Sequence, residues 1–230
     1  MGSLIKIHRF LMSQVFYPLV LSSLFSLALY AGRAMETRRL GTYSNLVWNL
    51  FLAWLPYLFS ILAAAIHRLL PKQWWYLVIP GALWLLFFPN APYIVTDFYH
   101  LHSRPGVPLW YDILILAGFS WTGIFLAIAS LRTIQHLIRN YLGGFVSWLF
   151  VAVAMGISAL GIYLGRFERW NSWDFFIHPR RILRDILALL ANPGENRLAL
   201  IFTILFTAFL IICYLTFINV AHYQEMEEAG

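Results

Sequence analysis

The chain has 230 residues, 61% of them apolar and only 11% charged, with a mean hydropathy of +0.71. A water-soluble domain carries about 25% charged residues, so an ordinary soluble enzyme or binding domain is excluded. The net charge is +6, yet no zinc-finger spacing, RNP-like strand or long basic tract accompanies it, and the usual nucleic-acid binders are excluded too.

Apolar runs predict an all-α, polytopic transmembrane helix bundle in one integral-membrane domain, with six spans at about 15–31, 46–66, 74–89, 109–131, 142–164 and 198–220. A helix needs about 20 residues to cross a hydrocarbon core of about 30 Å. The first run has a long apolar centre and continues through "ALYAGRAMETRR" into more membrane sequence, which predicts an uncleaved span. The second is entered through "RRLGTYSNLVWNLFLAWLP", a cluster of Arg38, Arg39, Tyr43, Asn45, Trp48 and Asn49, and Pro56 predicts a kink in it. Asn49, one turn into the span, reads as a buried amide bonding a neighbouring helix, or as a ligand contact.

The third run, "WWYLVIPGALWLLFF", offers only 15 uncharged residues before Pro89. Pro89 and Pro92 remove two backbone donors and disfavour helical geometry just before them, so a break or a kink is expected here. Such a break is tolerated only where protein or water surrounds the freed carbonyls. The stretch that follows, "FFPNAPYIVTDFYHLH", turns abruptly polar with Asn90, Tyr93, Asp97, His100 and His102. If residues 93–101 are α-helical, Tyr93, Asp97 and His100 share a face. An Asp/His pair supports general-base work or metal ligation, because the carboxylate fixes the imidazole tautomer; a structural hydrogen bond is the other reading. Asp97 and His100 are therefore the catalytic candidates, with Asn49, Asn90 and Tyr93 as ligand candidates. No HExxH, nucleophile elbow, metal-ligand set or cofactor motif accompanies them.

Asp112 stands three residues into the fourth predicted span. An ionisable group there is a functional hypothesis by default, although free amides at a helix N-terminus would also stabilise it; the second reading is favoured. In the fifth span Ala154, Ser158, Gly161 and Gly165 form a small-residue face suited to close helix packing. It belongs inside the bundle or, alternatively, against a second copy or a partner membrane protein. The span runs into "GRFERWNSWD". On a continued helical turn Arg166, Arg169 and Trp173 lie near one another, with Glu168 and Asp174 to answer the arginines. Arg166, Arg169, Asn171, Trp173 and Asp174 are candidates for binding a ligand or headgroup. A network from Arg166 or Arg169 to Asp97 is expected, either architectural or lining a ligand site.

In "HPRRILRDILALL" an amphipathic helix is predicted at about 179–190, with Ile182, Leu183, Ile186, Leu187 and Leu190 on its apolar face. That face is expected in lipid, with Arg180, Arg181 and Arg184 at anionic headgroups. Lysines and arginines number ten on the side of loops one, three and five and six on the other, which predicts those loops as cytoplasmic and both termini outside. The acidic end "YQEMEEAG" leans the same way. No internal repeat of the kind that builds many transporters is visible.

"WNLFLAWLP" at 48–56, "PNAPYIVTDFYHL" at 89–101 and "GRFERWNSWD" at 165–174, in this order among the spans, resemble an uncharacterised bacterial multi-pass integral-membrane family known as domain of unknown function 1361. The resemblance covers roughly residues 40–220 and implies a shared role for the three polar clusters, with no activity, substrate or cofactor attached. The readings in play are a scaffold or a small transporter, with a membrane-embedded enzyme acting on a lipid or lipid-linked phosphate substrate as the alternative. The residue pattern favours a non-enzymatic protein.

Overall fold

The structure, a computed structural model, describes residues 2–104, 106–192 and 194–227. The last three residues of the acidic tail and the Leu190 side chain lie outside what is described. Every regular element among the described residues is helical: α1 (Gly2–Ser13), α2 (Phe16–Thr37), α3 (Ser44–Leu69), α4 (Val78–Phe87), α5 (Asn90–Tyr93), α6 (Leu109–Phe167), α7 (Asp174–Ile177), α8 (Pro179–Ala191) and α9 (Arg197–Glu227). Two 3₁₀ stretches, Trp74–Leu77 and Ile94–His100, flank α4 and α5. Five helical stretches are long and apolar enough to cross a membrane: Phe16–Thr37, Ser44–Leu69, Trp74–His100, Leu109–Phe167 and Arg197–Asn219. The fold is an all-α bundle of membrane-length helices.

The 59 residues of α6 would extend about 88 Å if straight, roughly three bilayer cores. Gly143 interrupts them with φ 84° and ψ 174°, a backbone conformation essentially restricted to glycine. The chain divides into two compact units at the same place, Met1–Tyr141 and Leu142–Gly230. Hydropathy places the end of the fourth span near 131, whereas the helix continues through 132–142. Charge marks where hydropathy falls, not where helical hydrogen bonding stops. Ile134 and Leu137 keep one face of this continuation buried.

A second difference lies at the start of the chain, where α1 precedes the first membrane-length helix. Val15 turns the corner between α1 and α2 with φ 59°. Two contacts hold that corner: the Tyr57 hydroxyl donates to the Gln14 carbonyl at 2.8 Å and the Thr133 hydroxyl donates to Gln14 Oε1 at 2.9 Å.

The third membrane-length stretch breaks after Phe87, and protein surrounds the break. Ala91, Pro92 and Ile94 are buried. The Ser120 hydroxyl donates to the Ile94 carbonyl at 3.3 Å. Gly123 faces the same spot, where a Cβ would collide with the Ala91 carbonyl oxygen. Trp84 and Phe88 stack at 4.5 Å between ring centroids. These neighbours supply what lipid cannot.

In the second unit Val151, Ala154, Met155, Ala159 and Ile162 are buried along 144–167, and Tyr214 is buried on α9. Phe202 of α9 meets Tyr163 and Phe167 through ring contacts of 5.8 and 5.6 Å.

Candidate functional site

The most closed polar arrangement in the first unit joins the end of α2 to the start of α6. Arg33 Nε donates to Asp112 Oδ1 at 2.5 Å and Nη2 donates to Oδ2 at 3.2 Å. The two side chains are 3% and 0% exposed. Both carboxylate oxygens are therefore engaged by one guanidinium fork, the geometry in which arginine binds carboxylate best. The favoured reading of Asp112 as a group answered by helix-end amides is corrected: its partner is Arg33.

Close approach of the two helices makes the pair possible. A Cβ on Gly32 would sit 2.7 Å from the Tyr111 hydroxyl, which itself donates to the Leu29 carbonyl at 3.1 Å. In the sequence Arg33 is one of the ten basic residues on the side of loops one, three and five, and nothing local names a partner for it. The glycine beside it and an arginine inside a membrane-length helix were the available clues.

Tyr43 completes the arrangement. Arg33 lies 5.2 Å and Arg104 4.5 Å from its ring centroid, within the reach of cation–π attraction. The ring is buried, and its hydroxyl has no hydrogen-bond partner among the described residues. Burial holds the Tyr43 phenol above its ordinary value, helped by the Asp112 charge, while Arg104 and Arg33 pull it the other way. Arg104 Nε donates to His102 Nε2 at 3.0 Å. That leaves the proton of a neutral imidazole on Nδ1, which lies 2.9 Å from the His100 carbonyl.

The second arrangement centres on Asp97, which is 1% exposed. Asn49 Nδ2 donates to Asp97 Oδ2 at 2.8 Å, tying α3 to the 3₁₀ stretch. The expected α-helical face of Tyr93, Asp97 and His100 is corrected, because residues 94–100 are 3₁₀. With three residues per turn, positions i and i+3 eclipse, so Ile94, Asp97 and His100 share one row, buried at its first two members, and Tyr93 falls outside it. His100 is exposed, its ring edge-on to Tyr99 at 5.6 Å. Asn90 donates to the Phe87 carbonyl at 2.9 Å, and the Thr96 hydroxyl to the Tyr93 carbonyl at 2.7 Å. These two contacts serve the break itself.

In the second unit the expected helical turn past Arg166 is also corrected. The helix ends at Phe167 and Arg169 turns with φ 60°. The amides of Glu168 and Trp170 both return to the Leu164 carbonyl, at 3.0 and 3.2 Å. Arg169 and Trp173 are exposed and Arg166 is half-buried. Asp174 Oδ2 accepts from the Asn171 amide at 2.7 Å and from Asn171 Nδ2 at 3.3 Å. Ala154 and Ser158 are buried, whereas Gly161 and Gly165 are half-buried. On α8 the predicted apolar face is split: Ile182 is turned into the protein beside Leu189, while Leu183 and Leu187 are exposed.

The family described as Protein of unknown function (DUF1361) matches residues 48–213. The chain belongs to the DUF1361 family. No curated protein and no solved structure matches it. The DUF1361 region takes in Asn49, Asp97, Arg104 and Asp112, whereas Arg33 and Tyr43 precede it. The buried ion pair thus joins the matched region to the helix ahead of it.

Within the first unit the Arg33–Asp112 pair ties α2 to α6, and the Asn49–Asp97 bond ties α3 to the 3₁₀ stretch. Among the described residues no three His, Cys, Asp or Glu side chains stand together as a metal site. A hollow of about 660 Å³ between α2 and α6 is lined by Pro18, Leu21, Phe25 and Trp121. Its Ser22 hydroxyl is 2.6 Å from that of Thr122.

Proposed function

We propose that this DUF1361 protein is an integral-membrane scaffold without a reaction of its own. It sits in a bacterial inner membrane, with loops one, three and five cytoplasmic and both termini outside. One observation carries the reading: Arg33 and Asp112 engage each other at both carboxylate oxygens while almost wholly excluded from solvent. A transport route or catalytic centre needs its charge within reach of a solute, and charges inside membrane-length helices otherwise mark such routes. The ten-to-six distribution of basic residues supports the orientation.

The test is proton and ion flux in vesicles containing the purified protein, followed with entrapped indicator dyes. A scaffold leaves flux at the level of protein-free vesicles, before and after Asp112→Asn. A flux that the wild-type chain supports and Asp112→Asn removes would overturn the reading in favour of a transporter. Impermeant maleimide labelling of single cysteines, placed in loop five and in the tail of intact cells, checks orientation: the tail is expected to react and loop five to stay protected.

A further inference from the structure

From the way α8 is held, we infer that it is a docking element for an anionic phospholipid surface. This goes beyond the scaffold reading, since it names what the second unit binds and stands whether or not the first unit moves a solute. The inner edge of the helix is fixed to the protein. Ile182 and Leu189 are buried, Trp170 Nε1 donates to Asp185 Oδ2 at 3.2 Å, and Arg181 lies 5.1 Å from the Trp170 ring centroid.

The outer edge is left with an apolar and basic strip. Leu183 and Leu187 are each 56% exposed, one helical turn apart, with Arg180 and Arg184 exposed beside them at the same spacing. The four line a shallow hollow of about 520 Å³. Phe175 and Ile177, just ahead of the helix, are exposed as well.

Two observations select lipid as the occupant. The first is charge: the exposed cations interleave with leucines, so headgroup phosphates can take the guanidinium forks while acyl chains take the leucines. The second is tethering. Segments 168–178 and 192–196 tie α8 to the membrane-length part of α6 and to α9. Fully extended, the second segment reaches about 20 Å, which keeps the helix beside the bilayer that those two helices enter.

The experiment uses the full chain with Cys213→Ser and a single Leu187→Cys carrying an environment-sensitive fluorophore. It is reconstituted in phosphatidylcholine vesicles, with or without an equal part of phosphatidylglycerol. The probe is expected to be quenched by lipids brominated near the carbonyl in the mixed vesicles, and to be released by high salt as screening shortens. Arg180→Gln and Arg184→Gln are each expected to lower the docked fraction about fivefold, with the thermal transition unchanged. A probe at Leu183→Cys repeats the reading if the first label perturbs folding. Equal quenching in both lipid mixtures would overturn the proposal. So would iodide access without bromolipid quenching, or self-quenching between labelled copies, which would name a second chain as the occupant.

Discussion

Arg33 and Asp112 lie 79 positions apart in sequence and close on each other through two hydrogen bonds, with neither side chain more than 3% exposed. Through them the end of α2 is fixed to the start of α6. The neighbouring loops then collect around Tyr43, whose ring receives Arg33 and Arg104.

Asn49 and Asp97 form the weaker tie. Asn49→Leu leaves a buried carboxylate short of one donor and is expected to cost about 1.5–3 kcal/mol. Asp97→Asn in the same background recovers part of that loss, because the uncharged amide needs less solvation. Denaturant unfolding in mild detergent measures both. Equal losses from the two changes, adding independently, would show that the groups do not act on each other.

Tyr43 predicts a pH dependence. Its phenol is held above the ordinary 10.0, first by burial and then by the Asp112 carboxylate. A folded-state value above the unfolded one means that the protonated form is favoured by folding. Its contribution is fully present below about pH 10 and is lost as pH rises through the higher folded value. Phenolate absorbance of the wild-type chain minus that of Tyr43→Phe is expected to rise later than that of free tyrosine. A difference curve centred at or below the free value would contradict this. Because the hydroxyl has no partner at hydrogen-bond distance among the described residues, Tyr43→Phe is expected to change stability by less than about 1 kcal/mol.

Two glycines carry steric predictions. Gly123→Ala places a Cβ against the Ala91 carbonyl oxygen and is expected to cost about 1–3 kcal/mol by overpacking. Gly143→Ala meets open space but must adopt φ 84°, which costs about 1–3 kcal/mol through the backbone alone. Thermal unfolding of each variant reads the loss. Replacement by glycine at Val15, a β-branched residue at φ 59°, is expected to stabilise by about 1 kcal/mol.

Much of the fold was legible because its signals are local. Apolar runs of bilayer length mark the helices, Pro89 and Pro92 mark the break, and the spacing of Ile182 to Leu190 marks α8. The continuation of α6 past residue 131 was not legible, since hydropathy falls there while helix-forming residues persist to the glycines at 143 and 144. The left-handed turn at Arg169 was equally hidden, because arginine carries no preference for it. At the polar clusters, the position of Asn49 one turn into a helix announced an interhelical bond. Asp112 announced its burial but not its partner. Arg33 sits where a topology-setting arginine would also sit, and a contact across 79 residues leaves no periodicity. The splitting of the apolar face of α8 follows from Trp170 and Asp185 meeting, which helical spacing within α8 cannot reveal.

The most direct measurement is a double-mutant cycle on Arg33 and Asp112, read by unfolding of the reconstituted chain. Arg33→Met and Asp112→Leu alone each strand a buried charge and are expected to cost about 3–5 kcal/mol. Combined, they remove both charges and are expected to restore stability to within about 1 kcal/mol of the wild-type chain. Single variants that unfold like the wild type, or a double variant whose loss is the sum of the two, would contradict a pair that exists to hold α2 against α6.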